Sequence, residues 1–151
     1  MKFPHPLVRA QLIRRYKRFL ADAQLENGKL VTAHCANPGA MTGLTEVGAE
    51  IWLSPAQNPA RKLRWSWELI RVGNGLVGIN TSHPNTIVAE AISSGRIPSL
   101  HGYTSMRREV KYGKSSRIDI LLEDPVQGKC YVEVKNVHFL NLPFYETGTI
   151  K

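Results

Sequence analysis

Cysteine is scarce in this chain: Cys35 and Cys130 are the only two in 151 residues. They lie far apart and lack the close spacing of a zinc or iron–sulfur site. A disulfide-stapled scaffold is thereby excluded, and two reduced, buried thiols are expected. Long hydrophobic runs are also missing, and nothing approaches the roughly 20 apolar residues that span a bilayer. The start, Met1-Lys-Phe-Pro-His-Pro-Leu7, has no apolar stretch of the kind a signal peptide carries. A cytoplasmic protein with no membrane partner is therefore expected. Acidic residues are absent from the first twenty positions, which hold six basic ones: Lys2, Arg9, Arg14, Arg15, Lys17 and Arg18.

What is present is positive charge on an ordinary globular background. Hydrophobic residues make up 42% of the chain and aromatics 8%, with a formal net charge of +8. That composition supports a packed core rather than disorder. The charge is uneven, with 11 Lys/Arg against 5 Asp/Glu in residues 1–81, and 9 against 7 in residues 82–151. A basic face of this kind is the electrostatic footprint of a polyanion binder, and nucleic acid is the expected partner.

Residues 1–81 read as about five short strands. Leu12–Leu25 leads into Glu26-Asn27-Gly28, and Asn-Gly between alternating runs is a strong hairpin signal. Leu30–Ala36, a tight loop from Asn37 to Gly43, and runs at Ala49–Leu53, Leu63–Val72 and Leu76–Asn80 complete the set. Short strands without a long helix suggest a small β barrel of the oligonucleotide-binding (OB) type. Candidate DNA contacts are Arg14, Arg15, Lys17 and Arg18 in the first run and Arg61, Lys62 and Arg64 beside Trp65 in a later one. Trp65, Trp67, Tyr16 and Phe19 are candidate stacking platforms, although aromatics in a small barrel mostly fill its core. Core positions are therefore expected for Trp67 and Phe19.

The pattern changes at Ser82. Thr86–Ser93 has a helical apolar stripe and Gly95 stops it. A basic strand, Arg107–Tyr112, precedes two alternating runs, Ser116–Leu122 and Cys130–Val137, around a turn with Asp124-Pro125 and Gly128. A turn centred on Val126 sets Asp119 opposite Glu133, with Cβ atoms about 4.5–5.5 Å apart. Lys135 follows one pleat along. Two readings fit: a solvated polar strand face, or a site for a hard divalent cation and a phosphate. Apolar neighbours around Asp119 favour a partner or a task for that carboxylate. The second domain, residues 82–151, is thus an α/β arrangement. Its tail after Val137 shows no periodicity, so the domain looks incomplete.

Several stretches together are specific enough for a family resemblance: Leu12–Asp22, His34-Cys-Ala-Asn-Pro-Gly-Ala-Met-Thr-Gly43, Trp67-Glu-Leu69, Asn80-Thr81, the helix around Glu90, Glu109–Gly113, Ser116–Asp119 and Tyr131-Val-Glu-Val-Lys-Asn136. In this order they resemble the sugar fermentation stimulation protein A (SfsA) family over nearly all of residues 3 to 138. The resemblance implies an OB-fold-like nucleic-acid-binding domain (residues 1–81) and an α/β domain resembling PD-(D/E)xK, restriction-endonuclease-like nucleases. It also implies DNA binding without sequence preference and a role in regulating the use of sugars, notably maltose. Carried over, Asp119 and Glu133 fall at the metal-binding carboxylates, Lys135 at the catalytic lysine and Glu90 at a helical glutamate, with Mg²⁺ or Mn²⁺ as the implied cofactor. The residues after Val137 do not match the family's continuation, so a C-terminally truncated copy is expected. DNA binding accordingly ranks first, with a metal-dependent DNA nuclease as the alternative.

Overall fold

The structure is a computed structural model, and it describes residues 1–137. The expectation for the tail beyond Val137 falls outside those residues. The described chain forms two compact units, Lys2–Thr81 and Ser82–Asn136.

The first unit holds six strands: β1 (Val8–Tyr16), β2 (Leu20–Leu25), β3 (Leu30–His34), β4 (Glu50–Pro55), β5 (Trp65–Val72) and β6 (Gly75–Gly78). Antiparallel pairing joins β3, β2, β1, β4 and β5 in that order, and a short parallel pairing of β3 with β5 closes the ring. The result is a closed five-stranded barrel of OB type, with β6 added to β5 as a hairpin. Closure removes free strand edges from the ring. Inward positions carry Ala10, Leu12, Ala21, Ala23, Ala33, Ile51, Leu53, Trp67 and Ile70, all buried. The alanines leave room for Trp67, which is fully buried and donates its indole N–H to the Leu69 carbonyl at 2.9 Å.

Two departures from the expected pattern have local causes. Leu12–Leu25 is not one strand but two, because the chain reverses at Lys17-Arg18-Phe19. Lys17 (φ 48°) and Arg18 (φ 62°) both adopt left-handed backbone, which makes a tight turn without the glycine that usually marks one. Phe19 then lies at the loop, 49% exposed, and the core position expected for it is corrected. The register of β1 against β2 also shifts between Leu12 and Arg14. This bulge at Ile13 lets Leu12 and Arg15 share the inner face, opposite the buried Ala23 and Ala21, while Arg14 faces Asp22 outside.

The second unit has α1 (Pro84–Ser93), a 3₁₀ turn (Pro98–Leu100), β7 (Ser105–Tyr112), β8 (Ser116–Asp124) and β9 (Gly128–Val132). The three strands form an antiparallel sheet in sequence order. Gly95 takes φ +68° after the helix, as a helix stop requires. The core is small: Ala89 of α1 packs with Ile120 and Leu122 of β8, flanked by Val88, Ile92, Met106 and Val132. No helix among the described residues is long and apolar enough to cross a membrane.

Candidate nucleic-acid interface and carboxylate row

Register sets two basic loops on either side of β3. Leu20 of β2 pairs with His34 of β3, and His34 pairs with Ser66 of β5. Leu20 follows Lys17-Arg18-Phe19, and Ser66 follows the Arg61–Trp65 segment. Because β2 runs antiparallel to β3 and β5 parallel to it, Lys17–Phe19 lies beyond the C-terminal end of β3, whereas the Arg61–Arg64 segment leaves β5 in the opposite direction. The loops flank β3 from its two sides and opposite ends. Further contacts fix the junction. The Cys35 amide donates to the Phe19 carbonyl at 2.8 Å, and Arg61 donates to the Ser66 hydroxyl at 3.0 Å. Burial, reinforced by the charge of Arg61, pushes the His34 imidazole below its ordinary basicity, with Glu68 working weakly the other way. Lys17, Arg18, Arg61, Lys62 and Arg64 are all exposed. Among the described residues none of the five forms a salt bridge.

Not every expected contact belongs to these loops. Arg15 directs Nη2 to the carbonyls of Asn37 (2.8 Å), Gly39 (2.9 Å) and Arg18 (3.0 Å). Its guanidinium ties the 37–39 loop to the β1–β2 turn and holds that turn in place. Arg14 donates Nε to Asp22 at 2.8 Å and lies over the Tyr16 ring, 4.7 Å from its centroid. Asp22 also accepts from the Thr32 and Tyr16 hydroxyls at 2.8 and 3.1 Å. The Tyr16 ring is thus already covered and Arg14 already paired. Trp65, half-buried, packs against the barrel core.

In the second unit, β8 pairs with β9 through Ile120–Val132, Leu122–Cys130 and Asp124–Gly128. Continued by one residue, this register sets Asp119 against Glu133, as the turn position predicts. The strand itself is shorter than expected, ending at Val132. The cause is local: Oδ2 of Asp119 accepts the Val134 amide at 2.8 Å, so a side chain takes a donor that the ladder would otherwise use. On its other side Asp119 stands in register with Glu109 of β7, between the pairs Arg108–Ile120 and Val110–Ile118. Three carboxylates thus form one row across the sheet. Asn85 of α1 donates Nδ2 to Asp119 Oδ1 at 2.8 Å and to Glu109 Oε1 at 3.2 Å. Sequence reasoning missed Glu109 and Asn85. The Gly113-Lys114 turn carried the signal, since a hairpin centred there faces Glu109 with Asp119.

These residues do not fit a metal centre as placed. Among the described residues no three His, Cys, Asp or Glu side chains are grouped to hold a metal ion. Both Asp119 oxygens accept N–H donors. Lys135 donates to Glu133 at 2.5 Å, and that carboxylate, helped by Asp119, holds the ammonium above its ordinary pKa. Glu90 of α1, expected as a third ligand, pairs with the N-terminal ammonium of Met1 at 2.5 Å.

Comparison with known proteins places the whole arrangement. The family profile described as the SfsA N-terminal OB domain matches residues 13–79, and that of the sugar fermentation stimulation protein RE domain matches residues 82–146. A sugar fermentation stimulation protein homolog of Paramagnetospirillum magneticum is 62% identical over 138 residues, covering 91% of this chain and 58% of the relative. The Rhodospirillum rubrum homolog is 55% identical over 153 residues, covering 97% of this chain and 62% of its own. This chain therefore spans about three-fifths of the length of these relatives. The structure of Pyrococcus furiosus SfsA in complex with Ca²⁺ shares the fold at a TM-score of 0.75 and 23% identity, covering 88% of this chain and 55% of that one. With both profiles matched in sequence order, the chain belongs to the sugar fermentation stimulation protein family.

Proposed function

We propose that this chain binds DNA without sequence preference through the two basic loops that flank β3 of its barrel. The observation that carries the reading is the placement of exposed Lys17 and Arg18 on one side of β3 and exposed Arg61, Lys62 and Arg64 on the other. Flexible cations without acidic partners suit phosphates, which carry charge but no sequence information. Binding of this type releases counterions, so affinity falls steeply with salt. A contribution to the regulation of sugar use, maltose included, is the cellular role proposed on family grounds, and a cytoplasmic location goes with it.

The second reading is a metal-dependent DNA nuclease of the PD-(D/E)xK type. Two things support it: the row of Glu109, Asp119 and Glu133 with Lys135 beside it, and the Ca²⁺ named for the Pyrococcus furiosus protein. Against it stand the scattered Glu90 and the N–H donors on Asp119. Chemistry of this kind tolerates misplacement of well under 1 Å, so binding ranks first.

One titration separates the two. Fluorescence anisotropy with a labelled random-sequence DNA is followed from low to moderate salt. The affinity should fall with a log–log slope near −0.7 to −0.9 per phosphate contacted, and Lys17→Ala or Arg64→Ala should each lower the slope by about 1. A flat salt response would refute the binding reading. The same DNA incubated with Mg²⁺ or Mn²⁺ should stay intact with wild type and Asp119→Ala alike; cleavage by wild type alone would reverse the ranking.

A further inference from the structure

We infer that the DNA taken by the basic loops is single-stranded, with Phe19 as the platform on which an unpaired base stacks. The inference rests on the DNA-binding reading above and names its substrate class. Among the described residues of the barrel unit, Phe19 is the one exposed aromatic side chain. Trp67 is fully buried, Arg14 covers the Tyr16 ring, Arg71 lies over Trp52 at 5.2 Å, and Trp65 packs on the core. A lone exposed apolar ring is ordinary on a protein surface, and its neighbours give this one its significance. Here the turn also supplies exposed Lys17 and Arg18 on the same three residues, and the turn is anchored rather than loose. Arg15 holds the Arg18 carbonyl, and the Cys35 amide holds that of Phe19.

A ring next to cations is the pairing that single-strand binders use, because each nucleotide offers one phosphate and one free π-face. In a duplex those faces are stacked on their neighbours and closed to a side chain. A minor-groove wedge is the other use of such a ring, and it requires kinked duplex. The two outcomes are separable by experiment.

Binding of wild type, Phe19→Ala and Phe19→Trp is measured by anisotropy at several salt concentrations. The probes are an oligothymidylate and a dumbbell duplex closed at both ends by base-free polyethylene glycol linkers, so that no base is left unpaired. Phe19→Ala should weaken oligothymidylate binding about 5- to 100-fold, the range of one lost stacking contact. Its salt slope should stay unchanged, and its affinity for the dumbbell should change less than about 2-fold by the same reasoning. Phe19→Trp should restore binding. Phe19 is exposed, so a thermal melt should superimpose on that of wild type. Equal losses on both probes, or no loss on either while wild type still binds with a steep salt slope, would overturn the inference and leave DNA binding standing. Failure of wild type to bind either probe would bring down both.

Discussion

At the scale of single residues, the basic side chains that look alike in sequence divide into distinct roles. Arg14, Arg15, Lys17 and Arg18 sit within five positions, yet a bulge at Ile13 and a tight turn send them to different surroundings. Arg14 meets Asp22, Arg15 binds carbonyls, and the other two face solvent. Composition reveals that a basic patch exists; it does not reveal which arginines are already engaged. Asp22 gives this division a pH signature. Burial works to raise its carboxyl, but hydrogen bonds from Arg14, Thr32 and Tyr16 outweigh that and hold it below its ordinary value. A depressed carboxyl contributes stability that is complete above the unfolded value, near pH 3.9, and is lost as pH falls through the folded one. Asp22→Asn should therefore lower the melting temperature at pH 7 and leave it nearly unchanged near pH 2. A difference between the two proteins that is constant with pH would contradict this.

At the scale of elements, hairpins announced by glycine were legible and the one without glycine was not. Asn27-Gly28 marks the β2–β3 turn, where Gly28 takes φ +81°, and the turn before Gly128 fixes the β8–β9 register. The β1–β2 turn is hidden because Lys17 and Arg18 occupy backbone that side chains disfavour, at about 1–2 kcal/mol per residue. Phe19 reads as core because aromatics in a small barrel mostly fill it, whereas the hidden turn leaves its ring on a loop. The cost is testable. Arg18→Gly should stabilise the unit by up to about 1 kcal/mol in denaturant unfolding, while lowering the salt slope of DNA binding by about 1. A loss of stability would show that the Arg18 side chain, not only its carbonyl, supports the turn.

At the scale of the whole molecule, the β character of the first unit and the helix-then-strands order of the second could be read along the chain, but the sixth strand, hidden in the Leu12–Leu25 run, and barrel closure could not. The contacts that close a ring join segments some thirty residues apart, Ala33 with Trp65 and His34 with Ser66, and no local pattern encodes such a pairing. The same limit applies to the carboxylate row. One half of it followed from a single turn, whereas Glu109 and Asn85 required a second hairpin and a helix to be placed as well. The two core clusters differ in depth, with fourteen buried residues in the first unit's against three in the second's among those described.

The ring is joined at a seam only two residue pairs long, between β3 and β5. Being its shortest ladder, it is the place where the cylinder should breathe, and backbone amides there should trade hydrogen for deuterium sooner than those of β1 or β4. A nucleotide chain laid across both basic loops would act as a clasp on that seam. Deuterium uptake at residues 33–35 and 65–67 should then slow when oligothymidylate is added; uptake that ignores the ligand would mean that whatever binds does so away from the joint.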